Sequence, residues 1–539
     1  MLAAIRIRVA WEIGALSLAA CSPAIAPTAR GQNELQTNAE SPKPRDAANP
    51  AIGRAQFGPS PLSGANPAER DPNCPIGKEK TYEVGPEFTN KTLASVPWEQ
   101  LQPGDTVRVH HRPEPYREKL LLSQSGTARA PITLCGVADA SGNLPVIDGS
   151  NATTNPALRF PSSYTEPRGV VVISLTKEHR WGYKPSHLVI DQLDISNGNL
   201  SESFVDSQGT KRAYMENAAA VFVERGEHII VRGCILHGSG NGLFVASSSD
   251  EATQSRDILA EGNYIFGNGS TGKNKDRHHN IYTEAIGMVF QFNRLGPLRD
   301  GSGGSALKDR SANTVIRYNW IEGGSRSLDL VEPEDSHPQA AKIPHFGDAF
   351  VYGNVFIADK QSASRTFHYG GDTGELADYR KGTLYFYNNT VIAAAVESDH
   401  YNTTFFQLDT DEQVADVRNN IFYSTGNTHL TWGFEKGIIR LGINWVSSGI
   451  LPGRKEFTGK IEHVSGREQT IFGSNPTLRN SGEQDYCLGP SSKALSAAGD
   501  LSSAIPEEYR PSIQYAPHQR STKRKVFGAG DDLGALSCR

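Results

Sequence analysis

Between residues 278 and 332 the chain presents, on short strand-like runs, the side chains that an acid–base reaction needs. Asn280-Ile281-Tyr282-Thr283-Glu284 and Ala306-Leu307-Lys308-Asp309-Arg310 both alternate apolar with polar residues, the period-two pattern of a half-buried strand. With Ile281 and Leu307 pointing inward, Tyr282, Glu284, Lys308 and Arg310 point outward. Two near-copies of one phrase follow these runs, Phe292-Asn293-Arg294-Leu295 and Tyr318-Asn319-Trp320-Ile321. Tyr282 stands 11 residues before Asn293, and Lys308 stands 11 before Asn319. Units repeated in register superpose equal positions, so Tyr282 is expected to stack on Lys308, with Asp329 of Leu328-Asp329-Leu330 on the next rung. Phe367-His368-Tyr369 and Phe406-Gln407-Leu408-Asp409 supply further rungs.

This set suits β-elimination of a uronic-acid polysaccharide. That reaction neutralises a carboxylate, removes the acidic C5 proton and protonates the departing oxygen. Arg310 can grip a carboxylate with two parallel hydrogen bonds. Lys308, its pKa lowered by a neighbouring cation, is the candidate base, and Tyr282 or His279 the candidate acid. Glu284, Asp329, His368 and Gln407 are the candidate substrate-binding residues. The plainer alternative is that Lys308 and Arg310 only pair with Asp329 and Glu284 across rungs. A hydrolase on the same face would use Glu284 and Asp329 as its two carboxylates. A non-catalytic surface protein would use the face, with loop aromatics such as Trp181, Tyr183 and Trp432, to bind glycan. No cofactor is required by the pattern. His278 and His279 lack a third ligand at a recognisable spacing, so no histidine metal centre is expected. If a cation is held, Asp329, Glu332, Glu334 and Asp335 are the hard oxygen ligands to expect for calcium.

The elements that must position these residues form a ladder. A phrase of β-formers around one polar residue recurs with its key position at Cys234, Asn263, Asn293, Asn319, Asn354, Asn389 and Asn420, 26 to 35 residues apart. A period in that range marks stacked repeats. It is too short for a four-stranded propeller blade and carries no helical face. The fold expected is all-β, a right-handed parallel β-helix with about three strands per coil, over residues 73–500. Gly at 53 residues against Met at 3 agrees with a turn-rich β protein. A net charge of −5 over 539 residues gives no basic surface for nucleic acid, so the expected partner is a polysaccharide, met by a monomer.

Arg6 and Arg8 precede an apolar stretch ending Leu18-Ala19-Ala20-Cys21, interrupted by Glu12. This looks like a bacterial signal peptide (1–21) closed by a lipobox, with Cys21 the lipidated residue. It implies a lipoprotein of the outer membrane, or otherwise a periplasmic or secreted protein, touching the membrane through its anchor alone. Residues 22–72, rich in Pro, Ala, Asn and Gln, read as a disordered tether. Cys74 with Cys135 and Cys487 with Cys538 are candidate bridges, a pairing the sequence leaves open, and Cys234 reads as a small buried hydrophobe. Residues 501–539 read as a polar tail along the outside.

The stretch TYEVGPEFTNKTLASVPWEQLQPGDTVRVHH, then PITLCGV and LPVIDGSN, resembles the opening of secreted β-helix proteins of the pectate-lyase-like superfamily. NPTLRNSGEQDYCLGPSSKALSAAG at 475–499 resembles its closing segment. The resemblance implies an N-terminal cap made by Leu93, Val96 and Trp98. GSALKDRSANTVIRYN is similar to the stretch around the catalytic Lys of the alginate lyase and chondroitinase B family, with Lys308, Asn313, Tyr318 and Asn319 matching by position. That family carries an Arg in a Leu-x-x-Arg-His-Gly strand one coil later; here the strand reads Ser327-Leu328-Asp329-Leu330-Val331-Glu332.

Overall fold

The computed structural model describes residues 74–359, 365–393, 403–425, 430–434, 436–453, 463–526 and 530–538. The proposed signal peptide, Cys21 and the 22–72 tether lie outside the described residues. Among the described residues the strands form three long sheets of 13, 14 and 11 strands. Strands consecutive in sequence go to different sheets, as Arg256–Glu261, Tyr264–Phe266 and Ile281–Thr283 do, and each pairs in parallel with its equivalent one coil away. This is the parallel β-helix expected from the repeat. Right-handed winding is the rule for such crossovers.

Alternation fills the coil. Leu243, Ile281, Leu307, Leu328, Phe367 and Phe406 pair rung on rung and are buried in one continuous apolar core. The recurring Asn closes a turn. Asn263, Asn293, Asn319, Asn354, Asn389 and Asn420 stack, each amide nitrogen donating to the next Asn's Oδ1 at 2.9–3.1 Å. The ladder runs one rung further than expected, to Asn444, whose phrase Ile443-Asn444-Trp445-Val446 fits the pattern. The residue before each Asn from Asn263 to Asn420 has positive φ, which Gly262 and Gly353 adopt freely and Phe292 and Tyr318 adopt at a cost. Stacking of Phe292 on Tyr318, centroids 5.5 Å apart, helps offset it.

The N-terminal end is closed, and the C-terminal segment is tied to the coil. Leu93, Val96 and Trp98 are buried at the N-terminal end, on two short 3-10 turns rather than a longer helix. Cys74 bonds Cys135 and Cys487 bonds Cys538, while Cys234 is buried in the core. The segment after residue 500 packs on the outside. Tyr509 takes Tyr387 Oη as a donor to its carbonyl at 2.7 Å, and Tyr515 lies over Trp320. No described helix is long and apolar enough to cross a membrane.

Candidate functional site

Eight successive strands of the 14-stranded sheet carry the site: β1 (Gly169–Ile173), β2 (Ala219–Val223), β3 (Asn241–Val245), β4 (Ile281–Thr283), β5 (Leu307–Asp309), β6 (Leu328–Leu330), β7 (Phe367–Tyr369) and β8 (Thr403–Leu408). Their registers set Phe222, Phe244, Tyr282, Lys308, Asp329, His368 and Gln407 in one outward column. The stacking expected from the equal offsets is therefore the observed one, and it extends to both outer rungs. Beside the column, hydrogen bonds at the strand ends align Glu224, Ala246, Glu284 and Arg310.

The centre of the column is a fork of two cations around one carboxylate. Asp372, on the loop after β7, accepts from Arg310 Nη2 at 2.6 Å and from Lys308 Nζ. Arg310 Nε donates to Tyr282 Oη at 3.0 Å, and Nη1 donates to the Glu332 carbonyl and carboxylate. Lys308 also lies 3.8 Å from Asp329 Oδ2. Gly370 and Gly371 let this loop fold in: a Cβ on either would come within 2.2 Å of Asp409 Oδ2 or the Tyr379 ring. Glu332 then holds the loop by its main chain, accepting from the amides of Asp372 and Thr373. Asp372 is thus presented by its side chain alone, and that side chain covers the fork.

Below the fork His368 sits between two carboxylates, Nδ1 at 2.6 Å from Asp329 and Nε2 at 2.7 Å from Asp409. Two acceptors require two donors, so the ring is an imidazolium. Burial opposes that charge, but the hydrogen bonds the ring donates to both carboxylates raise the His368 pKa above its ordinary value. Burial likewise pushes Asp329 up, yet Lys308, Arg326 and His368 hold it well below the usual carboxylate range. Gln407 donates to Asp409 at 2.9 Å and so orients the outer carboxylate.

The same balance revises Lys308. Burial pulls its pKa down and Arg310 adds to that, but Asp329, Tyr282 and Asp372 outweigh both, and the group titrates above an ordinary lysine. Its surroundings make it a fixed ammonium, the reverse of the lowered pKa expected of a base. Arg310 is held well above its ordinary value; burial opposes its charge and Tyr282 and Asp372 favour it. Tyr282 is raised by burial, with Arg310 and Lys308 pulling it back in part.

Two other expected site residues point elsewhere. His279 is buried, its Nδ1 accepts from the Ser305 amide at 2.8 Å, and burial with the Lys308 charge pushes its pKa down to about 3. A ring with its lone pair occupied and no tendency to protonate is a poor acid; it props the edge of the Tyr282 ring instead. Glu284 turns under the loop after β6, accepting from Ser336 N at 2.6 Å and Ser336 Oγ at 2.7 Å, and burial raises it to about 7. It does not pair with Arg310 as the plainer alternative required. Nor do the carboxylates expected for calcium converge. Asp329 faces Lys308, Arg326 and His368, Glu332 serves Arg310 and the loop amides, and Glu334 pairs with Arg310 at 3.2 Å. That donor set is committed to cations and amides of the chain and does not fit a metal. Asn313 and Tyr318, matched by position to the lyase motif, lie off the column: Asn313 has positive φ at a strand start, and Tyr318 is in an outer tyrosine cluster of another sheet. Trp432 is buried in the core and cannot meet a glycan.

Sequence reading did not single out Asp372, Arg326 or Asp409 as site residues. Their signal is weak but present: Asp372 and Asp409 each follow a rung of the column within three residues, where a side chain returns to the strand ends.

No protein-family model matches the chain, and no curated protein matches it in sequence. Among solved structures it is similar to pectate lyase Pel9A, at 12% identity over 87% of this chain and 99% of that one, with a TM-score of 0.45. An alginate lyase from Paenibacillus sp. str. FPU-7 is similar at 14% identity over 68% and 98% of the two chains, TM-score 0.39. GH136 lacto-N-biosidase from Eubacterium ramulus is similar at 11% identity over 73% and 68%, TM-score 0.43. By its three parallel sheets the chain is a parallel β-helix. What its side chains do rests on the geometry described above.

Proposed function

We propose that the protein cleaves an acidic, uronate-containing polysaccharide by β-elimination on the outward column. The observation that carries this reading is the fork: Lys308 and Arg310 already hold one carboxylate between them, with the Tyr282 oxygen on the same guanidinium. A uronate carboxylate displaces Asp372 and takes its place. Two fixed cations neutralise it, which acidifies the C5 proton. Tyr282 is then the proton-transfer group, because Arg310 Nε donates to its oxygen and so favours the phenolate. The phenolate takes the C5 proton, the electron pair becomes the C4–C5 double bond, the C4–O bond breaks, and the leaving oxygen receives the proton from Tyr282. Burial keeps the Tyr282 pKa above its ordinary value, so the reactive phenolate fraction, and with it the rate, rises with pH through the neutral and alkaline range.

The test is a panel of alginate, chondroitin, dermatan, heparan and pectic substrates, followed by the ultraviolet absorbance of an unsaturated uronate. Absorbance with one substrate, rising with pH, is the expected result. New reducing ends without that absorbance would replace the lyase with a hydrolase. Silence across the panel with glycan binding retained would leave a binding scaffold.

A further inference from the structure

Trp181 is 72% exposed, unusual for the largest apolar side chain, and yet it is not loose. Its Nε1 donates to Asp250 Oδ2 at 2.9 Å, and the Arg225 guanidinium lies 4.8 Å from its ring centroid, covering one face. Asp250 is itself held in a turn, accepting from the Ala252 amide at 3.0 Å. The indole is therefore fixed at its edge and on one face, and its other face is open. Arg225 beneath it is 8% exposed, and its Nε and Nη1 are buried with no acceptor among the described residues. A buried guanidinium with spare donors is a departure from the rule that buried polar groups are paired.

The place of this pair in the fold relates it to the fork. Trp181 is on the loop after β1, Arg225 follows the end of β2, and Asp250 is on the loop after β3. Arg225 directly follows Glu224, which shares the strand-end row with Arg310. From the coil of β2 to that of β5 is three rungs, or ~14 Å at the usual strand spacing. The loop after β6, which supplies Glu332 to Arg310, also reaches this region: Gln339 Nε2 donates to the Ser249 carbonyl at 3.2 Å. The two loops join along one side of the column.

We infer that Trp181 over Arg225 is a remote subsite that stacks a pyranose ring of the same polysaccharide chain, about three coils toward the N-terminus from the Lys308–Arg310 fork. The ring's C–H face lies on the open indole face, which Asp250 fixes at its edge and Arg225 supports from beneath. The inference rests on the acidic-polysaccharide reading and sharpens it: the substrate is a polymer that spans several coils, bound along the helix axis.

The full chain and its Trp181→Ala and Trp181→Phe variants are compared by affinity electrophoresis in gels containing each acidic polysaccharide, and by kinetics on polymer and on disaccharide-sized substrate. Trp181 is exposed, so its replacement leaves the fold intact, which circular dichroism checks. The expected result is about tenfold weaker retardation and a tenfold higher KM on polymer for Trp181→Ala. Its kcat, and all values on the short substrate, stay unchanged, and Trp181→Phe lies between. Equal retardation of wild type and Trp181→Ala by a polymer that wild type binds would overturn the subsite and leave the proposed activity standing. Equal losses on polymer and short substrate would also overturn it, since a remote subsite cannot act on a ligand that does not reach it. A wild type that binds no acidic polysaccharide would overturn both.

Discussion

Two columns run along the same coil and answer the same register in opposite ways. In the turn column, Asn263 to Asn444 repeat one residue, and each amide from Asn293 to Asn420 both accepts from the rung before and donates to the rung after. Each amide nitrogen gives its other hydrogen to a main-chain carbonyl of the coil, and nothing is left for a ligand. In the outward column a pair of like rings, Phe222 and Phe244, leads into Tyr282, Lys308, Asp329, His368 and Gln407, no two of which are alike. Neighbours there neutralise one another's charge without consuming every bond, and the remaining capacity turns to the loops and the solvent. A repeat that copies its residue builds structure; one that keeps the register and changes the residue builds a site.

The comparison breaks most visibly at Tyr282. Tyr282→Phe removes one hydroxyl from the outward column and should lower the elimination rate by ~10²–10⁴-fold, the usual worth of a positioned proton-transfer group. Its thermal midpoint should hardly move, because only the hydrogen bond from Arg310 is lost. An active Tyr282→Phe would assign the proton transfer to another group. The same truncation in the other column should do the opposite. Asn319→Ala strips the acceptor from Asn293 N and Nδ2, both buried, and should cost about 3 kcal/mol, as unsatisfied buried donors do. Chemical denaturation reads that loss. Undiminished stability would mean water replaces the amide and the ladder is not the brace it looks to be.

This contrast also explains what could be read in the sequence. The ladder and the stacking of Tyr282, Lys308 and Asp329 were legible because both follow from register alone, and register is written as equal spacing. The roles of individual side chains were not legible, since they depend on contacts made by loops. Lys308 looked like a base because Arg310 is its neighbour in sequence, but the charges that decide its pKa include Asp372, 64 residues away. Glu284 looked paired with Arg310 because they share a row, but Ser336 from a longer loop claims it. His279 was placed near the fork correctly and given the wrong part, because its burial depends on the coil above it. Period-two alternation says which way a side chain points and nothing of what returns to meet it.

Asp372 sharpens the comparison from the ligand's side. It is the one member of the fork held by a loop, and in the proposed reaction a substrate carboxylate displaces it. Asp372→Asn keeps the shape and removes the charge, while Glu332 still holds the loop through the main-chain amides. Affinity for the acidic substrate should tighten about tenfold, the worth of one charged hydrogen bond. Weaker binding would instead make Asp372 a ligand contact in its own right.

The smallest effect is expected at the flank of the column, where Glu284 tests whether a carboxylate in the chemical row behaves as structure. Burial raises its pKa from 4.5 to about 7 in the folded protein, with the Ser336 hydrogen bonds opposing. A carboxyl raised on folding favours the native state below its unfolded pKa, and that contribution is lost as pH rises toward the folded value. Glu284→Gln keeps an acceptor for the Ser336 amide and cannot ionise. Below pH 4.5 the two proteins should melt together. Between 4.5 and about 7 the wild type should fall behind, and above that the gap should stay constant at a few degrees or less. Turnover should not change, because Glu284 is bonded under the loop by Ser336 and takes no part in the fork. A variant that melts in parallel with wild type at every pH would mean that Glu284 keeps its ordinary pKa in the folded protein, its burial fully offset by the Ser336 hydrogen bonds. A variant that loses turnover would return Glu284 to the site.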